Sequence, residues 1–322
     1  MGNGNAPMVS VCMITYNHET YIKQAIEGVL MQKCNFSFEL VIGEDCSTDK
    51  TLDICMKLSE ANNQIRLLPS TANLGMMPNF VRTLSECKGK YIALCEGDDY
   101  WTDPYKLQKQ VDFLEANEDF AICFHPVHIC NQRKISSKKL SLEIPEVTTI
   151  EDLAKSNYIP TLSVIFRSQS MQGFSKELNK GPFGDYFLHL LNAQFGKIKK
   201  LPEIMGVYRY HENNSWANLD QVKMNERLLI LLEIMIDYFS GNVQKELKNQ
   251  YSKVSFDLAM ALYKKGIQNE DFKYYYNKSL NSNNLVVFSK LINIYKSKEY
   301  KTGKYILTPL RFMKRFLERL KF

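Results

Sequence analysis

The sequence lacks the segments by which several large classes of protein are recognised. None of its apolar runs approaches the ~20 residues that a membrane-spanning helix needs, and its first residues have no basic segment followed by an apolar core, so secretion is not indicated. Its eight cysteines include no Cys-x-x-Cys pair, and Cys12, Cys95 and Cys123 lie inside apolar runs. We therefore expect reduced core cysteines in a cytoplasmic protein, without zinc ligands or disulfides.

Positive charge is concentrated at the end of the chain. The formal net charge of the 322 residues is +6, and residues 301–322 contain seven basic residues and one acidic residue, which accounts for the whole excess. Nucleic-acid-binding domains usually spread basic residues over a folded face, so we expect no nucleic-acid partner. Residues 309–322 have the spacing of a basic amphipathic helix. This helix fits either contact with an anionic membrane surface or docking of its apolar stripe on the protein.

Three carboxylates crowd the end of one short apolar run. Residues 91–95 (Tyr-Ile-Ala-Leu-Cys) have the composition of a buried strand, and Glu96, Asp98 and Asp99 follow directly. Acidic groups this close repel one another unless a cation or solvent relieves them, so the cluster indicates either a metal site or an exposed turn. Ligands of open α/β sheets bind beyond the carboxyl ends of the strands, and this position favours the metal site.

Strand-like and helix-like segments alternate through the first 125 residues. This alternation predicts an α/β fold with a mostly parallel sheet and helices on both faces. The predicted strands are residues 9–15, 38–43, 65–69, 91–95 and 120–124. The predicted helices run from about 19 to 32, from a cap at Ser47 or Thr48 to about 61, from 78 to 87, and onward from Asp103.

A dinucleotide-binding Rossmann domain is the main alternative for this pattern, and the first turn argues against it. Residues 16–20 (Tyr-Asn-His-Glu-Thr) contain none of the glycines that let a pyrophosphate approach a helix N-terminus, and the chain has no Walker loop. Polar side chains instead follow three predicted strands at one edge of the sheet: Thr15, Tyr16 and Asn17, then Glu44 and Asp45, then the three carboxylates. Such an edge suits an aromatic ring and a carboxylate that hold a base, with a metal that holds a pyrophosphate.

These three segments, in this order and spacing, resemble the successive motifs of the family 2 glycosyltransferases of the GT-A fold. They are residues 15–17 (Thr-Tyr-Asn), 44–51 (Glu-Asp-Cys-Ser-Thr-Asp-Lys-Thr) and 96–101 (Glu-Gly-Asp-Asp-Tyr-Trp), and the resemblance extends to about residue 216. The resemblance implies a donor site for a nucleoside diphosphate sugar. The residues implied for the base are Thr15, Tyr16 and Asp45, with Asn17 and Glu44 beside them. Those implied for the ribose and a Mn²⁺ or Mg²⁺ ion are Glu96 and Asp98, with Asp99 adjacent.

The chain departs from that family's pattern at three positions. Glu96 and Glu44 replace the usual aspartates, which keeps the charge and lengthens each side chain by one methylene, and Cys46 replaces the usual glycine. Because residues other than glycine rarely adopt a positive φ, we expect the turn at Cys46 to avoid it. No required charge is removed, and the base preference stays open.

Two later segments resemble the part of such a site that activates the acceptor and the part that closes over the donor. Asp185 begins a predicted helix and matches the family's general base for an inverting transfer, although by itself it fits an acid that complements the helix dipole. Residues 208–211 (Tyr-Arg-Tyr-His) match a segment that closes over the donor diphosphate. That match implies that Arg209 compensates charge and that His211 binds metal or phosphate; the alternative for His211 is a solvated loop side chain. Imidazole ligands suit Mn²⁺ better than Mg²⁺.

The composition changes after about residue 216. Leucine, isoleucine, tyrosine and lysine dominate, and residues 222–239 and 243–265 have helical spacing of apolar residues. We predict a catalytic GT-A domain over residues 1–216. We also predict a helical C-terminal region over residues 217–322, packed on the catalytic domain or on another subunit, as in a homodimer.

The sequence therefore predicts a metal-dependent inverting glycosyltransferase. The expected donor is a nucleoside diphosphate sugar, with UDP as the expected nucleotide. The expected acceptor is a glycan or a polyprenyl-linked saccharide in cell-surface polysaccharide synthesis, reached at the inner face of the membrane if residues 309–322 bind there. Two alternatives stay open: a catalytically degenerate scaffold, of which the replacements at Glu44 and Glu96 would be signs, and a sugar-phosphate nucleotidyltransferase, whose glycine-rich first loop is missing.

Overall fold

The computed structural model describes residues 6–131, 134–140, 143–168, 178–211, 219–267 and 270–280. The chain divides into two compact units, residues 1–247 and 248–322. The predicted domain boundary near residue 216 stays a prediction, and the predicted helix at 309–322 lies outside the described residues. No helix in the described ranges is both long and apolar enough to cross a bilayer.

The first unit is built from strands and helices that alternate for most of its length. Its strands are β1 (Val9–Thr15), β2 (Phe38–Glu44), β3 (Ile65–Pro69), β4 (Tyr91–Leu94), β5 (Tyr100–Trp101), β6 (Phe120–Phe124), β7 (Val127–Asn131), β8 (Lys134–Leu140), β9 (Val147–Thr148), β10 (Ile165–Arg167), β11 (Lys197–Lys200) and β12 (Gly206–Tyr210). Its helices are α1 (Ile22–Leu30), α2 (Thr51–Ala61), α3 (Met76–Ser85), α4 (Lys106–Ala116), α5 (Ile150–Leu153), α6 (Asp185–Ala193) and α7 (Gln221–Tyr238), followed by α8 (Gly241–Lys264), which continues into the second unit.

The main sheet has eight strands in the order β3-β2-β1-β4-β10-β6-β11-β9. The pairs β2–β3, β1–β2, β1–β4 and β6–β11 are parallel, whereas β10 is antiparallel to both of its neighbours and β9 is antiparallel to β11. The sheet is therefore mostly parallel, and the predicted α/β fold class is confirmed.

Strand β1 occupies the middle of the parallel half because its sequence is apolar on both faces. Val9, Val11 and Met13 pack in one buried cluster with residues of α1 and α4, and α3 contacts β1 and β2. Alternate residues of a strand point to opposite faces, so a strand that is buried throughout needs a cover on each side. Helix α1 supplies such a cover through Ile22, Ala25, Ile26 and Val29, which are spaced to form a single stripe.

A second sheet has four strands in the order β5-β12-β7-β8. All four strands follow β4 in the sequence. Strand β12 pairs antiparallel with the two-residue strand β5 and parallel with β7. Because β5 directly follows the acidic residues at 96–99, this pairing brings the segment 206–210 beside them.

Several local predictions differ from the structure. Residues 161–166 are mostly apolar and read as one strand, but only the second half is extended, because Thr161–Ser163 form a 3-10 turn before β10. Neither Ser47 nor Thr48 caps α2; Asp49 accepts a hydrogen bond from the backbone N–H of Thr51 instead (2.9 Å). The expectation that Cys46 avoids a positive φ is also wrong, because its φ is +59°.

The predicted helical character of the C-terminal region is confirmed for the described residues. Helix α7 begins at a cap in which the Asp220 carboxylate accepts from the backbone N–H of Lys223 (2.9 Å). Phe187 of α6 meets Tyr238 of α7 edge-on, with 5.4 Å between ring centroids. The described part of the second unit consists of the end of α8 and a further helix, α9 (Glu270–Leu280).

Candidate active site

The carboxyl ends of three parallel strands meet at one edge of the main sheet. Thr15, the last residue of β1, lies opposite Glu44, the last residue of β2. The chain after β4 continues alongside β1, since the backbone N–H of Gly97 donates to the carbonyl of Ile14 (3.0 Å). The structure thus brings together the three polar segments that the sequence predicted to share an edge.

The acidic cluster consists of Glu96, Asp98 and Asp99. One carboxylate oxygen from each lies within 4.8 Å of the other two. Burial, followed by the charges of Asp98 and Asp185, raises the pKa of Glu96 to about 8. Burial and the two neighbouring carboxylates likewise raise the pKa of Asp99 well above its usual value. These shifts come first from burial and then from mutual repulsion, and a bound cation would oppose both.

Asp99 is fixed on one side only. Its Oδ1 accepts a hydrogen bond from the backbone N–H of Arg209 (2.8 Å), and this bond ties the acidic cluster to β12. Its Oδ2 is buried and, among the described residues, has no hydrogen-bond partner. A buried carboxylate oxygen without a partner is costly, so this atom is the strongest sign that the cluster accommodates a positively charged ligand.

Two imidazoles face Asp98. His211 Nε2 is 3.0 Å from Asp98 Oδ2, and His18 Nε2 is 3.9 Å from the same oxygen. Burial acts to raise the pKa of Asp98, but the hydrogen bond with His211 and the charges of both histidines lower it below its usual value. Burial lowers the pKa of His18, against the opposing effect of Asp98.

The Arg209 guanidinium contacts four residues. Its guanidinium donates to the carbonyl of Asp98 and to the side chain of Gln24, and it lies over the rings of Tyr100 (4.3 Å to the centroid) and Tyr21 (5.2 Å). The side chain is almost fully buried. Arg209 therefore fixes the main chain of the acidic cluster against α1 and β12, and its contact with a diphosphate stays a prediction.

The predicted base-binding residues have distinct local surroundings. Asp45 is buried and accepts hydrogen bonds from the backbone N–H groups of Leu74 (2.8 Å) and Gly75 (2.9 Å), which shape the turn before α3. Glu44 is fully buried, and its carboxylate accepts from the backbone N–H groups of Cys46 and Ser47. Both carboxylates thus organise loops in addition to any contact with a base.

Asn17 and Tyr16 complete this part of the edge. Asn17 has a φ of +54°, and its Oδ1 accepts from the backbone N–H of Thr48 (2.8 Å), which joins the loop after β1 to the loop after β2. Tyr16 is exposed and has its ring available for stacking. Their roles in donor binding stay predictions.

Asp185 lies at the first residue of α6, as predicted. Its Oδ2 accepts hydrogen bonds from Thr161 Oγ1 (3.1 Å) and Asn157 Nδ2 (3.4 Å). Its charge is close enough to contribute to the raised pKa values of Glu96 and of Tyr208. The structure therefore brings the predicted general base to the same edge as the acidic cluster.

The model of the family "Glycosyl transferase family 2" matches residues 10–181, which is more than half of the chain. The chain belongs to glycosyl transferase family 2. An uncharacterized protein of Mycobacterium tuberculosis is 36% identical to this glycosyltransferase over 246 residues, covering 74% of this chain and 70% of the relative. TuaG of Bacillus subtilis, a predicted glycosyltransferase of teichuronic acid biosynthesis, is 30% identical over 167 residues. The match covers 52% of this chain and 65% of TuaG.

Solved structures support the same fold at low identity. Residues 1–349 of S. aureus TarS, in complex with UDP-GlcNAc, superpose on this glycosyltransferase with a TM-score of 0.61, at 17% identity and 92% coverage of both chains. The mannosyltransferase PcManGT of Pyrobaculum calidifontis, in complex with GDP-Man and Mn²⁺, has a TM-score of 0.58 at 13% identity and covers 93% of this chain and 84% of its own. The predicted GT-A fold and family are confirmed.

A divalent ion fits the side chains at this edge. The carboxylates of Glu96, Asp98 and Asp99 provide hard oxygen donors, and His211 Nε2 adds a nitrogen donor within 3.0 Å of Asp98. The unpartnered, buried Oδ2 of Asp99 is a further donor without a competing protein partner among the described residues. The three carboxylates would hold the ion, and His211 as a further ligand stays a prediction.

Two further residues lie beside the acidic cluster, and no motif of the sequence singled them out. His18 faces Asp98, and burial together with the charges of Asp99, Glu96, Asp98 and Asp185 raises the pKa of Tyr208. His18 directly follows the segment 15–17, and Tyr208 opens the segment 208–211, so sequence position next to a motif was the available signal. Their orientation towards the carboxylates depends on the fold.

Proposed function

We propose that this glycosyltransferase transfers a sugar from a UDP-sugar to a saccharide acceptor with inversion, and that the reaction depends on Mn²⁺ or Mg²⁺. The observation that carries the proposal is the convergence of Asp185 with the acidic cluster. A direct displacement requires a carboxylate base for the acceptor close to the group that holds the donor diphosphate.

Asp185 acts as the general base. The acceptor hydroxyl oxygen forms a bond to the anomeric carbon, the bond from that carbon to the diphosphate oxygen breaks, and the nucleoside diphosphate leaves with the bonding electrons. The hydroxyl proton goes to Asp185. Thr161 and Asn157 hold its Oδ2, and in the described part of the chain no hydrogen bond reaches its Oδ1, which is the atom that takes the proton.

The donor half of the site holds the nucleotide. Asp45 and Tyr16 seat the base, with Thr15, Asn17 and Glu44 around them. Asp98, Glu96, Asp99 and His211 hold the divalent ion, which neutralises charge on the leaving diphosphate when it is bound. Arg209 keeps this group in place and adds positive charge beside it.

The choice of nucleotide and acceptor rests on relatives. The TarS structure contains UDP-GlcNAc and the PcManGT structure contains GDP-Man, and we propose UDP. The name of TuaG supports a saccharide polymer of the cell surface as the acceptor, on a glycan or a polyprenyl-linked carrier. Contact of residues 309–322 with the inner face of an anionic membrane, and a homodimer formed through the helical region, are predictions from the sequence.

Calorimetry with UDP and then GDP, each with and without Mn²⁺, tests the donor site. We expect metal-dependent binding of UDP that disappears in Asp98→Ala, because the metal loses its central ligand. An isosteric Asp112→Asn substitution on α4, outside the site, is the control and should bind as the wild type does. Equal UDP binding with and without metal would contradict the metal-dependent donor site and would favour the scaffold alternative.

The Asp185→Asn variant tests the chemistry. It should bind UDP and metal normally and lose transfer by a factor of about 10² to 10⁴, the range that general base catalysis contributes. Transfer at the wild-type rate would remove Asp185 from this role. The configuration of the new glycosidic bond, read by NMR from its anomeric proton, tests inversion directly.

A further inference from the structure

Three buried side chains connect helix α4 and strand β5 to the 3-10 turn that precedes β10. They are Trp101, Lys106 and Gln110, each at most 1% exposed. We propose that all three are positioning residues for Asp185, because they fix the turn whose Thr161 hydroxyl holds the Asp185 carboxylate. This inference rests on the proposed role of Asp185 as the general base, and it adds to that role side chains outside the acidic cluster and the donor loops.

The turn is held through two of its backbone carbonyls. Trp101 Nε1 donates to the carbonyl of Leu162 (2.7 Å). Gln110 Nε2 donates to the carbonyl of Ser163 (2.9 Å) and to that of Cys123 on β6 (3.1 Å), so the turn is tied to the main sheet. A buried carbonyl that loses its donor is costly, and each of these bonds therefore restrains the turn to one position.

Lys106 orients the amide of Gln110. Its ammonium lies 2.7 Å from Gln110 Oε1 and 4.0 Å from the centroid of the Trp101 ring. An ammonium can only donate, so it fixes the amide oxygen towards itself and the amide nitrogen towards the two carbonyls. Burial lowers the pKa of Lys106 to about 7, and no carboxylate in the described ranges is paired with it. The buried amine therefore costs stability that an apolar side chain of similar length would not cost.

The turn carries the hydroxyl that holds Asp185. Thr161, its first residue, donates from Oγ1 to Asp185 Oδ2 (3.1 Å), whereas the bond from Asn157 Nδ2 is longer (3.4 Å). A turn that shifts takes the Thr161 hydroxyl with it and leaves the carboxylate free to rotate. Because a misplacement of about 1 Å at a reacting group can lower a rate about 10²-fold, the restraint on the turn matters for catalysis.

The other end of this connection reaches the acidic cluster. Trp101 follows Asp99 by two residues, and its strand β5 pairs with β12 at Gly206. A Cβ at Gly206 would lie 2.9 Å from Leu162 Cδ1 and 3.5 Å from Trp101 Cδ1. The turn and Trp101 are therefore packed together against β12, which sets the place of the partner of Asp185 relative to the carboxylates that would hold the ion.

A double-mutant cycle on urea unfolding, followed by circular dichroism, tests the inference without any substrate. Thr161→Val removes the hydroxyl that holds Asp185, and it should raise the unfolding constant of the wild type about fivefold. In the Gln110→Met background the same change should raise it less than about twofold, because the released turn no longer brings Thr161 to Asp185.

Gln32→Met is the matched control. Gln32 is another buried glutamine; its amide donates to the carbonyl of Asp103 (2.8 Å) and accepts from the backbone N–H of Leu107 (3.0 Å). These bonds hold the start of α4 rather than the turn. Its substitution should lower stability as Gln110→Met does, while Thr161→Val keeps its full effect in that background.

A kinetic measurement separates positioning from stability. The probe is UDP-GlcNAc with water as the acceptor: the water oxygen bonds to the anomeric carbon, the bond to the diphosphate breaks, Asp185 takes a proton, and released UDP is measured. We expect Gln110→Met to lower kcat about 10²-fold and to leave KM and the binding of UDP with Mn²⁺ unchanged, whereas Gln32→Met keeps the wild-type kcat. In an Asp185→Asn background Gln110→Met should lower kcat no further, because the base through which it acts is absent.

Lys106→Met provides a second variant if Gln110→Met folds poorly. Methionine keeps the length of the side chain and removes a buried amine that the unfolded chain holds charged at pH 7, so the variant should be at least as stable as the wild type. Its kcat should nevertheless fall about tenfold, because the Gln110 amide loses the donor that orients it. A protein that keeps its stability and loses turnover is not explained by packing.

The outcomes distinguish this inference from the proposed function. Equal effects of Thr161→Val in the wild type and in Gln110→Met would overturn the inference and leave Asp185 as the base, and so would a wild-type kcat in Gln110→Met. A rise in KM that matches the fall in kcat would assign these side chains to the donor half and would also overturn it. If Asp185→Asn releases UDP at the wild-type rate, the proposed base fails and the inference fails with it. If the wild type binds UDP but releases none from UDP-GlcNAc, the unfolding cycle alone decides.

Discussion

Replacing His189 with leucine should stabilise this glycosyltransferase and remove part of its sensitivity to acid. His189 is fully buried on α6 among leucine and phenylalanine residues, as its spacing in the sequence predicts. Neither ring nitrogen has a hydrogen-bond partner among the described residues. Leucine is close to histidine in volume and leaves no polar atom buried, so we expect about 1 to 2 kcal/mol of added stability at pH 7.

The acid dependence follows from the pKa of the ring. Burial lowers the pKa of His189 from 6.5 to about 4, against the opposing charge of Asp185. Between these values the unfolded chain binds a proton that the folded protein does not, so the free energy of unfolding falls as the pH falls through this window. At 1.36 kcal/mol for each pKa unit, the loss from this residue is about 3 kcal/mol between pH 7 and pH 4. The leucine variant should not show it.

Urea unfolding at several pH values, followed by tryptophan fluorescence, measures the effect. Trp101 is buried in the first unit, so its signal reports on the part of the chain that contains α6. Leu191→Met, a volume-conserving change on the same helix, is the control and should keep the wild-type slope with pH. A leucine variant that is less stable at pH 7, or as acid-sensitive as the wild type, would refute the reasoning.

Three further substitutions test the packing around the site. Gly97→Ala should weaken Mn²⁺ and UDP binding by about tenfold and lower the melting temperature, because its Cβ displaces Thr15 and His18; unchanged binding by calorimetry would contradict this. Arg82→Met should lower the free energy of unfolding by about 2 kcal/mol, because its guanidinium donates to three carbonyls at the ends of β2 and β3, and an unaltered urea midpoint would argue against that role. Gly89→Ala should cost about 2 kcal/mol or more, since its Cβ would lie 2.4 Å from a backbone nitrogen of β1; a wild-type melting temperature would disprove it.

The parallel half of the fold is the part that the sequence predicts well. Residues 9–15 and 91–95 are apolar throughout and end abruptly in polar groups, and local composition alone identifies them as buried strands with functional ends. Because the carboxyl ends of parallel strands share an edge, the meeting of Thr15, Glu44 and the acidic cluster follows from topology without any knowledge of packing.

Residues 204–210 read as a strand, and β12 confirms it, but the pairings of the second sheet could not be predicted from local signal. Strand β5 is only two residues long, and its pairing with β12 joins segments that are far apart in sequence. Strand β10 is similarly short, and its position between β4 and β6 depends on packing rather than on periodicity. The contact of His18 with Asp98 depends on the same tertiary arrangement.

Cys46 has a backbone conformation that its residue type does not favour and that neighbouring hydrogen bonds stabilise. Its positive φ is unfavourable for a side chain, yet Glu44 accepts hydrogen bonds from the backbone N–H groups of Cys46 and Ser47 and holds the turn in that shape. The glutamate that departs from the family pattern and the residue with unfavourable backbone geometry thus belong to one local structure.

The antiparallel strand β10 divides the main sheet into two halves that carry different parts of the site. On one side lie β3, β2, β1 and β4 with the loops proposed for the donor, and on the other lie β6, β11 and β9. Because β10 runs in the opposite direction, its N-terminal end reaches the same edge as the carboxyl end of β4, and it brings Thr161 and the segment before it towards Asp185. The residues that hold Asp185 therefore come from a connection that shares no strand with the donor loops. Under the proposed function, exchanging this connection should change the acceptor while the half proposed for the nucleotide keeps its own hydrogen bonds.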